Sequence, residues 1–200
     1  MKKIILLATT LIIASVSFGQ ITGFTIGPKV GANFSKFTTD QSEIEEQIKN
    51  SFYFGAFARF GQKFYLQPEL LVMNRNGELK NNEIQGSSGT IEVGSIDVPL
   101  LVGLRLLNLK VASVRVMAGP VASFAVNKSV TLNETWDDEI DFTEDDIKNA
   151  NWGLQFGAGV DVLFLTLDLR YEIGLNNFSE IQDFDLKNNM FTIGLGWKIL

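Results

Sequence analysis

The fold is decided by the eleven residues LTLDLRYEIGL, which run from Leu165 to Leu175. Every odd-numbered position in this stretch is apolar or aromatic, whereas the even-numbered positions carry Thr, Asp, Arg, Glu and Gly. Such alternation indicates a β-strand with one apolar and one polar face, because successive side chains in a strand point to opposite sides. The same alternation recurs in 152–162 and in 191–199. The chain is therefore predicted to be all-β.

The residues on the polar face distinguish between folds built from alternating strands. A water-soluble sandwich also alternates, but its polar face meets water and carries long solvating side chains. Here glycine and single charges of both signs dominate that face. They suit the narrow interior of a small closed barrel, where opposite charges pair while the apolar face is turned to lipid. The sequence favours a membrane barrel over the alternative of a solvated sheet with scattered charges.

The charged residues of the polar face are the candidate site residues. The cations are Lys29, Arg59, Arg105, Arg115, Arg170 and Lys198, and the anions are Glu69, Asp97, Asp161, Asp168 and Glu172. One interpretation makes them a lumen site or a proton path, and the other makes them buried ion pairs that hold strand register. We favour the structural interpretation, because removing one partner of a buried pair is costly whereas the intact pair supplies no chemistry.

Connection lengths provide a second argument. Turn signals and breaks in the alternation predict eight strands near 23–37, 51–60, 63–76, 90–107, 109–128, 151–163, 165–178 and 188–200. Long polar connections are predicted at 38–50, 77–89, 129–150 and 179–187, and they alternate with tight reversals. Outer-membrane barrels combine short periplasmic turns, longer outer loops and an even strand count. We therefore predict an antiparallel eight-stranded up-and-down transmembrane β-barrel with both termini at the short-turn end. A ten-stranded barrel with an extra hairpin within 129–150 is the alternative.

Two residue types mark particular points of the predicted strands. Proline removes a ladder hydrogen bond, so bulges or irregular pairing are predicted at Pro68, Pro99 and Pro120, with Pro28 raising the same issue. Aromatic residues on the outward face or near strand ends suit interfacial girdles, although ordinary strand propensity is an equal explanation for any single one. They are Phe24, Phe52, Phe60, Phe64, Trp152, Tyr171, Phe191 and Trp197.

The N-terminus differs from the rest of the chain. Met1-Lys2-Lys3 is followed by a mostly apolar stretch up to Val16 and by Ser17-Phe18-Gly19. This pattern predicts a cleaved signal peptide over 1–19 and a single barrel domain over 20–200, because the apolar stretch is shorter than a membrane anchor needs. Loss of Lys2 and Lys3 would take the formal net charge from −6 to −8. Such an acidic chain argues against nucleic acid as a partner.

Composition excludes several kinds of chemistry. The 200 residues include no Cys and no His, so disulfides, thiol catalysis and histidine-based triads or metal sites are absent. We therefore predict that the protein is not an enzyme and has no cofactor. Beyond the predicted signal peptide no run of eighteen apolar residues occurs, which excludes helical membrane spans.

An acidic cluster lies in the predicted connection 129–150. Its members include Asp137, Asp138, Glu139, Asp141, Glu144, Asp145 and Asp146. Carboxylates at this density suit Ca²⁺ or an ion bridge to lipopolysaccharide, but the spacing lacks the glycine and terminal glutamate of an EF-hand. We favour a solvated external loop with no metal site.

Several segments carry a family resemblance in their order along the chain. They are 27–35 (GPKVGANFS), 65–71 (YLQPELL), 95–101 (SIDVPLL), 118–120 (AGP), 168–175 (DLRYEIGL) and 192–197 (TIGLGW). Together they resemble the PorT-like outer-membrane β-barrel proteins of Bacteroidetes. The resemblance implies a small porin-family barrel, and PorT itself is associated with protein secretion. The sequence ends in Leu200 rather than in the terminal aromatic common in barrel assembly signals, so Trp197 is predicted to take that part.

Several functions fit a barrel of this size. We favour a structural or interaction protein in the outer membrane of a Gram-negative bacterium, with a sealed lumen and acidic loops outside. Its predicted partners are outer-membrane lipid and the barrel-assembly machinery, and the sequence names no extracellular partner. The alternatives are a narrow passive channel, a PorT-type secretion component, a lipid-modifying enzyme and a soluble lipocalin-like binder. Eight strands enclose only enough space for side chains, which disfavours the channel. A lipocalin would place apolar residues inside.

Overall fold

The computed structural model describes residues 23–39, 44–81, 88–109, 111–132, 148–176 and 186–199. They form eight strands: β1 (Phe24–Thr39), β2 (Ile44–Phe60), β3 (Phe64–Asn81), β4 (Ser88–Asn108), β5 (Ala112–Leu132), β6 (Ala150–Val162), β7 (Leu165–Gly174) and β8 (Leu186–Trp197). The predicted signal peptide and the acidic cluster at 137–146 lie outside the described residues. The prediction of an antiparallel eight-stranded up-and-down barrel is confirmed.

The sheet closes on itself. Each strand pairs antiparallel with its neighbours in the sequence, and β1 also pairs with β8, so that Ala32 faces Ile193 across the closing seam. Because β5 pairs directly with β6, the ring has no place for the two further strands of the ten-stranded alternative. The segment in which the extra hairpin was predicted lies mostly outside the described residues.

The connections lie at two ends of the barrel. Short turns at 61–63, 109–111 and 163–164 occupy one end, and the other connections join strands at the opposite end. The chain enters and leaves at the short-turn end, where Gly61 N donates to Gly23 O at 2.7 Å and Lys198 N donates to Phe164 O at 2.7 Å.

The connections predicted at 38–50 and 77–89 are shorter in the structure, because the flanking strands extend into them. Backbone pairing between β2 and β3 continues from Ile44 opposite Asn81 to Ile48 opposite Gly77. The strands end where the ladder ends, and ladder hydrogen bonds do not require apolar side chains. Sequence alternation therefore marked the apolar band of these strands and missed their extensions.

The two faces of the wall differ as the alternation requires. On the outer face Leu167, Leu169 and Leu195 are exposed by 45%, 46% and 47%, whereas Asp168 and Arg170 on the inner face are exposed by only 1% and 3%. An apolar exterior around a polar interior is the arrangement of a membrane barrel and the reverse of a lipocalin. The described part of the chain contains no helix that could span a bilayer.

The predicted girdle aromatics lie on or beside this apolar exterior. At the short-turn end Phe24 stacks near Phe60 with ring centroids 5.0 Å apart, and Phe164 lies 4.7 Å from Trp197. Phe52 and Phe64 are exposed by more than two thirds. Aromatic rings in these positions suit the membrane interface.

At the prolines the structure shows the predicted irregular pairing but not the alternative, a β-bulge, in the described strands. Register is continuous through Pro28, Pro68, Pro99 and Pro120, and the shifts in the described strands lie between Ile48 and Tyr53, Gly94 and Ser95, and Arg105 and Leu107. Pairing is nevertheless irregular beside three of the prolines. The β3–β4 ladder passes from Pro68–Leu100 to Leu71–Asp97, and the β4–β5 ladder passes from Pro99–Val121 to Val102–Ala118. A proline thus interrupts pairing locally while the flanking residues keep the register.

Candidate functional site

The candidate site is the interior of the barrel, where ten charged side chains are buried. Five are cations and five are anions, so their formal charges cancel: Lys29, Arg59, Arg75, Arg115 and Arg170 against Glu69, Asp97, Asp161, Asp168 and Glu172. We call this set the lumen network. Burying so many charges is tolerable only where each is paired and hydrogen-bonded.

The first layer of the network lies toward the short-turn end. Arg59 on β2 reaches across to Asp161 on β6, with Nη1 2.8 Å from Oδ2. Arg115 on β5 donates from Nε to Asp161 Oδ1 at 3.1 Å and pairs through Nη2 with Asp168. The hydroxyl of Ser113 donates to Asp161 at 3.1 Å. Asp161 is therefore held by two guanidinium groups and a hydroxyl.

The second layer occupies the middle of the barrel. Arg170 on β7 forms a bidentate ion pair with Glu69 on β3, with Nη1–Oε2 at 2.8 Å and Nη2–Oε1 at 2.6 Å. Lys29 Nζ lies 3.0 Å from Glu69 and 2.5 Å from Asp168. Arg170 also contacts Asp168 at 2.6 Å. Two cations and two anions from three strands thus form one closed group.

The third layer lies toward the opposite end. Arg75 on β3 pairs with Asp97 and, at 2.9 Å, with Glu172 on β7. Its other amino group donates to Asn188 on β8 at 2.7 Å. Gln155 joins this layer to the middle one, because it accepts from Arg170 and donates to Glu172, both at 3.2 Å. The three layers are therefore one continuous network.

Arg75 was missed by the sequence analysis. It follows Glu69 by six residues on the same strand, so it has the inward parity of Glu69, and its side chain is 1% exposed. Counting in twos from Glu69 through Leu71 and Met73 would have found it. The predicted strand ended at residue 76, directly after Arg75, and the parity was not followed to that position.

Two sequence candidates lie outside the network. The structure places Arg105 and Lys198 half-buried at the short-turn mouth rather than in the sealed interior. Arg105 sits where the register of β4 and β5 shifts, and Lys198 follows the last residue of β8. Both residues keep the inward parity of their strands, two residues after the buried Gly103 and Gly196, and they are only half-buried because they lie at the ends of these strands, beside the mouth.

Apolar side chains fill the remaining interior. Tyr53, Leu71, Met73 and Met190 form a buried cluster, and Phe57 is 2% exposed. No group of three acidic side chains in the described ranges is arranged to hold a metal ion. The interior is a packed core made largely of paired charges.

Glycine provides the space that the network needs. A Cβ atom added at Gly159 would lie 2.5 Å from Asp168 Oδ1 and 2.7 Å from Arg115 Cζ, which is closer than non-bonded atoms approach. A side chain at this position would therefore displace the pair formed by Arg115 and Asp168.

Gly159→Ala is expected to lower the free energy of unfolding by about 1–3 kcal/mol, the usual cost of overpacking a core. Urea or guanidinium titration of the protein folded into lipid vesicles measures this change. Gly94→Ala is the matched control, since an added Cβ there meets its nearest neighbours at 3.4 Å. Equal losses for both variants would show that the network does not set the space at Gly159.

An apolar wall closed around a charge-paired interior defines an integral membrane β-barrel. The model of the outer membrane protein β-barrel domain family matches residues 17–180, and the chain belongs to this family.

Solved outer-membrane barrels are similar in fold. Outer membrane protein OprG of Pseudomonas aeruginosa has 13% sequence identity and a TM-score of 0.53, with 88% of this chain and 95% of that chain covered. The attachment invasion locus protein Ail of Yersinia pestis has 13% identity and a TM-score of 0.46, with 88% and 99% covered. At this identity the likeness to OprG shows the fold alone. No curated protein matches the sequence.

Proposed function

We propose that this protein is a sealed outer-membrane barrel with a structural or interaction role, which displays its longer connections on the cell surface and conducts no solute. The observation that carries this proposal is that the lumen network crosses the barrel. In a ring of eight strands, β2 lies opposite β6 and β3 lies opposite β7.

Three ion pairs span these diameters. Arg59 on β2 pairs with Asp161 on β6, and β3 pairs with β7 twice, through Glu69 with Arg170 and through Arg75 with Glu172. They lie at successive levels between the short-turn end and the other end. A solute passing along the axis would have to break a buried pair at each level, which is costly because the separated charges would lose their partners in a dry interior.

Planar-bilayer recording tests the sealed lumen. The folded protein is expected to produce no stepwise conductance above that of the bare membrane, because the network and the apolar cluster leave no continuous aqueous path. Discrete steps with a reproducible unit size would contradict the proposal and favour the narrow porin-like channel. An open porin inserted by the same procedure is the positive control.

The orientation and export of the chain belong to the same proposal. We propose that residues 1–19 are removed as a signal peptide, that the barrel-assembly machinery inserts the remainder into the outer membrane of a Gram-negative bacterium, and that the short turns face the periplasm. The acidic cluster at 137–146 would then face outward, away from the cell. Support comes from the charge pattern at the N-terminus and from the short-turn end, where the described chain begins and ends. Protease treatment of intact cells should cut within 133–147 and spare the turn at 61–63.

We also propose a narrower kinship with the PorT-like barrels, supported by the segments shared in order from 27–35 to 192–197. A secretion-associated role follows only from this kinship. Deleting the gene and measuring the exported proteins in the medium tests that role. A secretion component should change the set of exported proteins, and an unchanged set would contradict the secretion role and leave the surface-display barrel. No catalytic or nucleic-acid-binding role is proposed.

A further inference from the structure

A small cavity opens at the short-turn mouth of the barrel. Its volume is about 200 Å³, and its polar wall includes Arg105, Asn108, Ser113, Asp161 and Lys198. A water molecule occupies about 30 Å³ in the liquid, so the cavity has room for a phosphate-sized group.

The mouth carries more positive charge than the lumen network neutralises. The ten buried charges cancel, and neither Arg105 nor Lys198 forms an ion pair with any residue in the described ranges. Exposed Lys63 is in the adjoining turn, where its carbonyl accepts a hydrogen bond from Arg105 N at 2.8 Å, but it does not line the cavity. The cavity therefore sits at a local cationic excess.

The one carboxylate in the cavity wall does not offset this excess. Asp161 accepts from Arg59 Nη1 at 2.8 Å, from Arg115 Nε at 3.1 Å and from Ser113 Oγ at 3.1 Å. The Nη2 atom of Arg59 is buried and has no hydrogen-bond partner among the described residues. An anion at the mouth would meet the donors of Arg105 and Lys198 and a carboxylate that is already paired.

Electrostatics at Lys198 agree with this description. Burial lowers the pKa of the Lys198 amine, and Arg59, Arg105 and Arg115 lower it further, although Asp161 acts in the opposite direction. Among the neighbouring charges Asp161 has the largest effect and favours the charged amine, while the three guanidinium groups oppose it. A bound anion would relieve this repulsion.

An apolar rim adjoins the same cations. Leu109, Val111 and Leu163 also line the cavity, and they are exposed by 65%, 61% and 63%. Exposed leucines beside Arg and Lys at the end of a membrane barrel match the two parts of a phospholipid, whose acyl chains are apolar and whose headgroup is charged.

We propose that this cavity binds the phosphate group of an anionic phospholipid in the periplasmic leaflet, with Arg105 and Lys198 as the phosphate ligands. The forked guanidinium of Arg105 suits phosphate oxygens, and the Lys198 ammonium supplies a point charge. The acyl chains lie against the rim. Inorganic phosphate has the same charged oxygens as the lipid headgroup but no acyl chains. The apolar rim beside the cations therefore favours a lipid over free phosphate.

Binding to the protein folded in neutral detergent micelles tests the site. The probes are short-chain phosphatidylglycerol, short-chain phosphatidylcholine and inorganic phosphate, measured as bound adducts by native mass spectrometry. Phosphatidylglycerol is expected to bind saturably and more tightly than phosphatidylcholine. The double variant Arg105→Gln/Lys198→Gln is expected to bind it about tenfold more weakly, since two charge-assisted contacts are lost. Lys63→Gln removes one positive charge at the same end without touching the cavity, and it is expected to bind like the unaltered protein.

Three results would overturn the proposal. They are equal binding of the two lipids, equal weakening in Lys63→Gln and in the double variant, and saturable binding of inorganic phosphate with no preference for lipid. The last result would assign the cavity to free phosphate. Should the double variant fail to fold, Arg105→Gln alone carries the test. The assignment to the periplasmic leaflet rests on the orientation proposed above, whereas binding in micelles does not depend on it. Conductance is a separate measurement, so the sealed barrel and the lipid site succeed or fail independently.

Discussion

Replacing Arg170 with methionine is expected to lower the free energy of unfolding by about 3–5 kcal/mol, the cost of removing one partner from a buried ion pair. Arg170 makes two contacts to Glu69, at 2.6 and 2.8 Å, and a third to Asp168 at 2.6 Å. Methionine fills much of the volume, so the loss comes from charge. Lys29 alone would then face Glu69 at the middle of the barrel, and the lumen network would hold one anion too many.

Guanidinium titration of the protein in lipid vesicles measures this loss, and Lys63→Gln is the control because that lysine is exposed in a turn. The double variant Arg170→Met/Glu69→Gln sharpens the test, because it restores the balance of charge. Its loss is expected to be smaller than the sum of the two single losses, as for residues that contact each other. Additive losses, or a loss for Arg170→Met no larger than for Lys63→Gln, would show that the pair contributes little to stability.

The alternation of side chains explains why so much of the fold could be predicted. Parity is a local property of a strand, so the inward direction of Asp168, Arg170 and Glu172 follows from three neighbouring odd-numbered apolar residues. The balance of charge on that face then favoured a barrel interior over a solvated sheet. Strand count followed from turn signals, because tight reversals such as 163–164 break the alternation at a definite point.

What escaped prediction depends on contacts between strands. The extension of β2 to Ile44 is set by its ladder with β3, which leaves no trace in hydropathy. The register shift between Arg105 and Leu107 is a property of the pairing of β4 with β5, so it could not be predicted from the sequence of one strand. The choice of partners, such as Arg75 with both Asp97 and Glu172, arises only when strands far apart in sequence meet across the lumen.

The lumen network links opposite walls of the barrel. Each pair that spans the diameter joins two strands that are not hydrogen-bonded neighbours. The network therefore stabilises contacts between opposite walls, which backbone hydrogen bonds between adjacent strands cannot provide. The same contacts occupy the axis. The proposed sealed lumen and the proposed display role both depend on these cross-lumen pairs.

The second large effect concerns the outer face. Leu169→Arg is expected to lower the free energy of unfolding in lipid vesicles by about 2–4 kcal/mol, the cost of an arginine on the lipid face at the bilayer midplane. Leu169 is at the middle of β7, between Ala158 and Ile193 on the neighbouring strands, and it is 46% exposed. The guanidinium would have to leave water and lie in hydrocarbon, or the bilayer would have to thin around it.

Val162→Arg is the matched control for this second variant. Val162 faces outward with a similar exposure of 48%, but it is the last residue of β6 and lies beside the turn at 163–164. An arginine there reaches the interface, where the cost falls to about 0–1 kcal/mol. The difference between the two variants measures depth in the bilayer, because exposure and the introduced side chain are matched. In a water-soluble barrel both substitutions would fall within about 0.5 kcal/mol, as exposed surface changes do. Equal and small losses would therefore contradict a lipid-facing exterior, whereas a steep dependence on depth is what hydrocarbon around the middle of β7 requires.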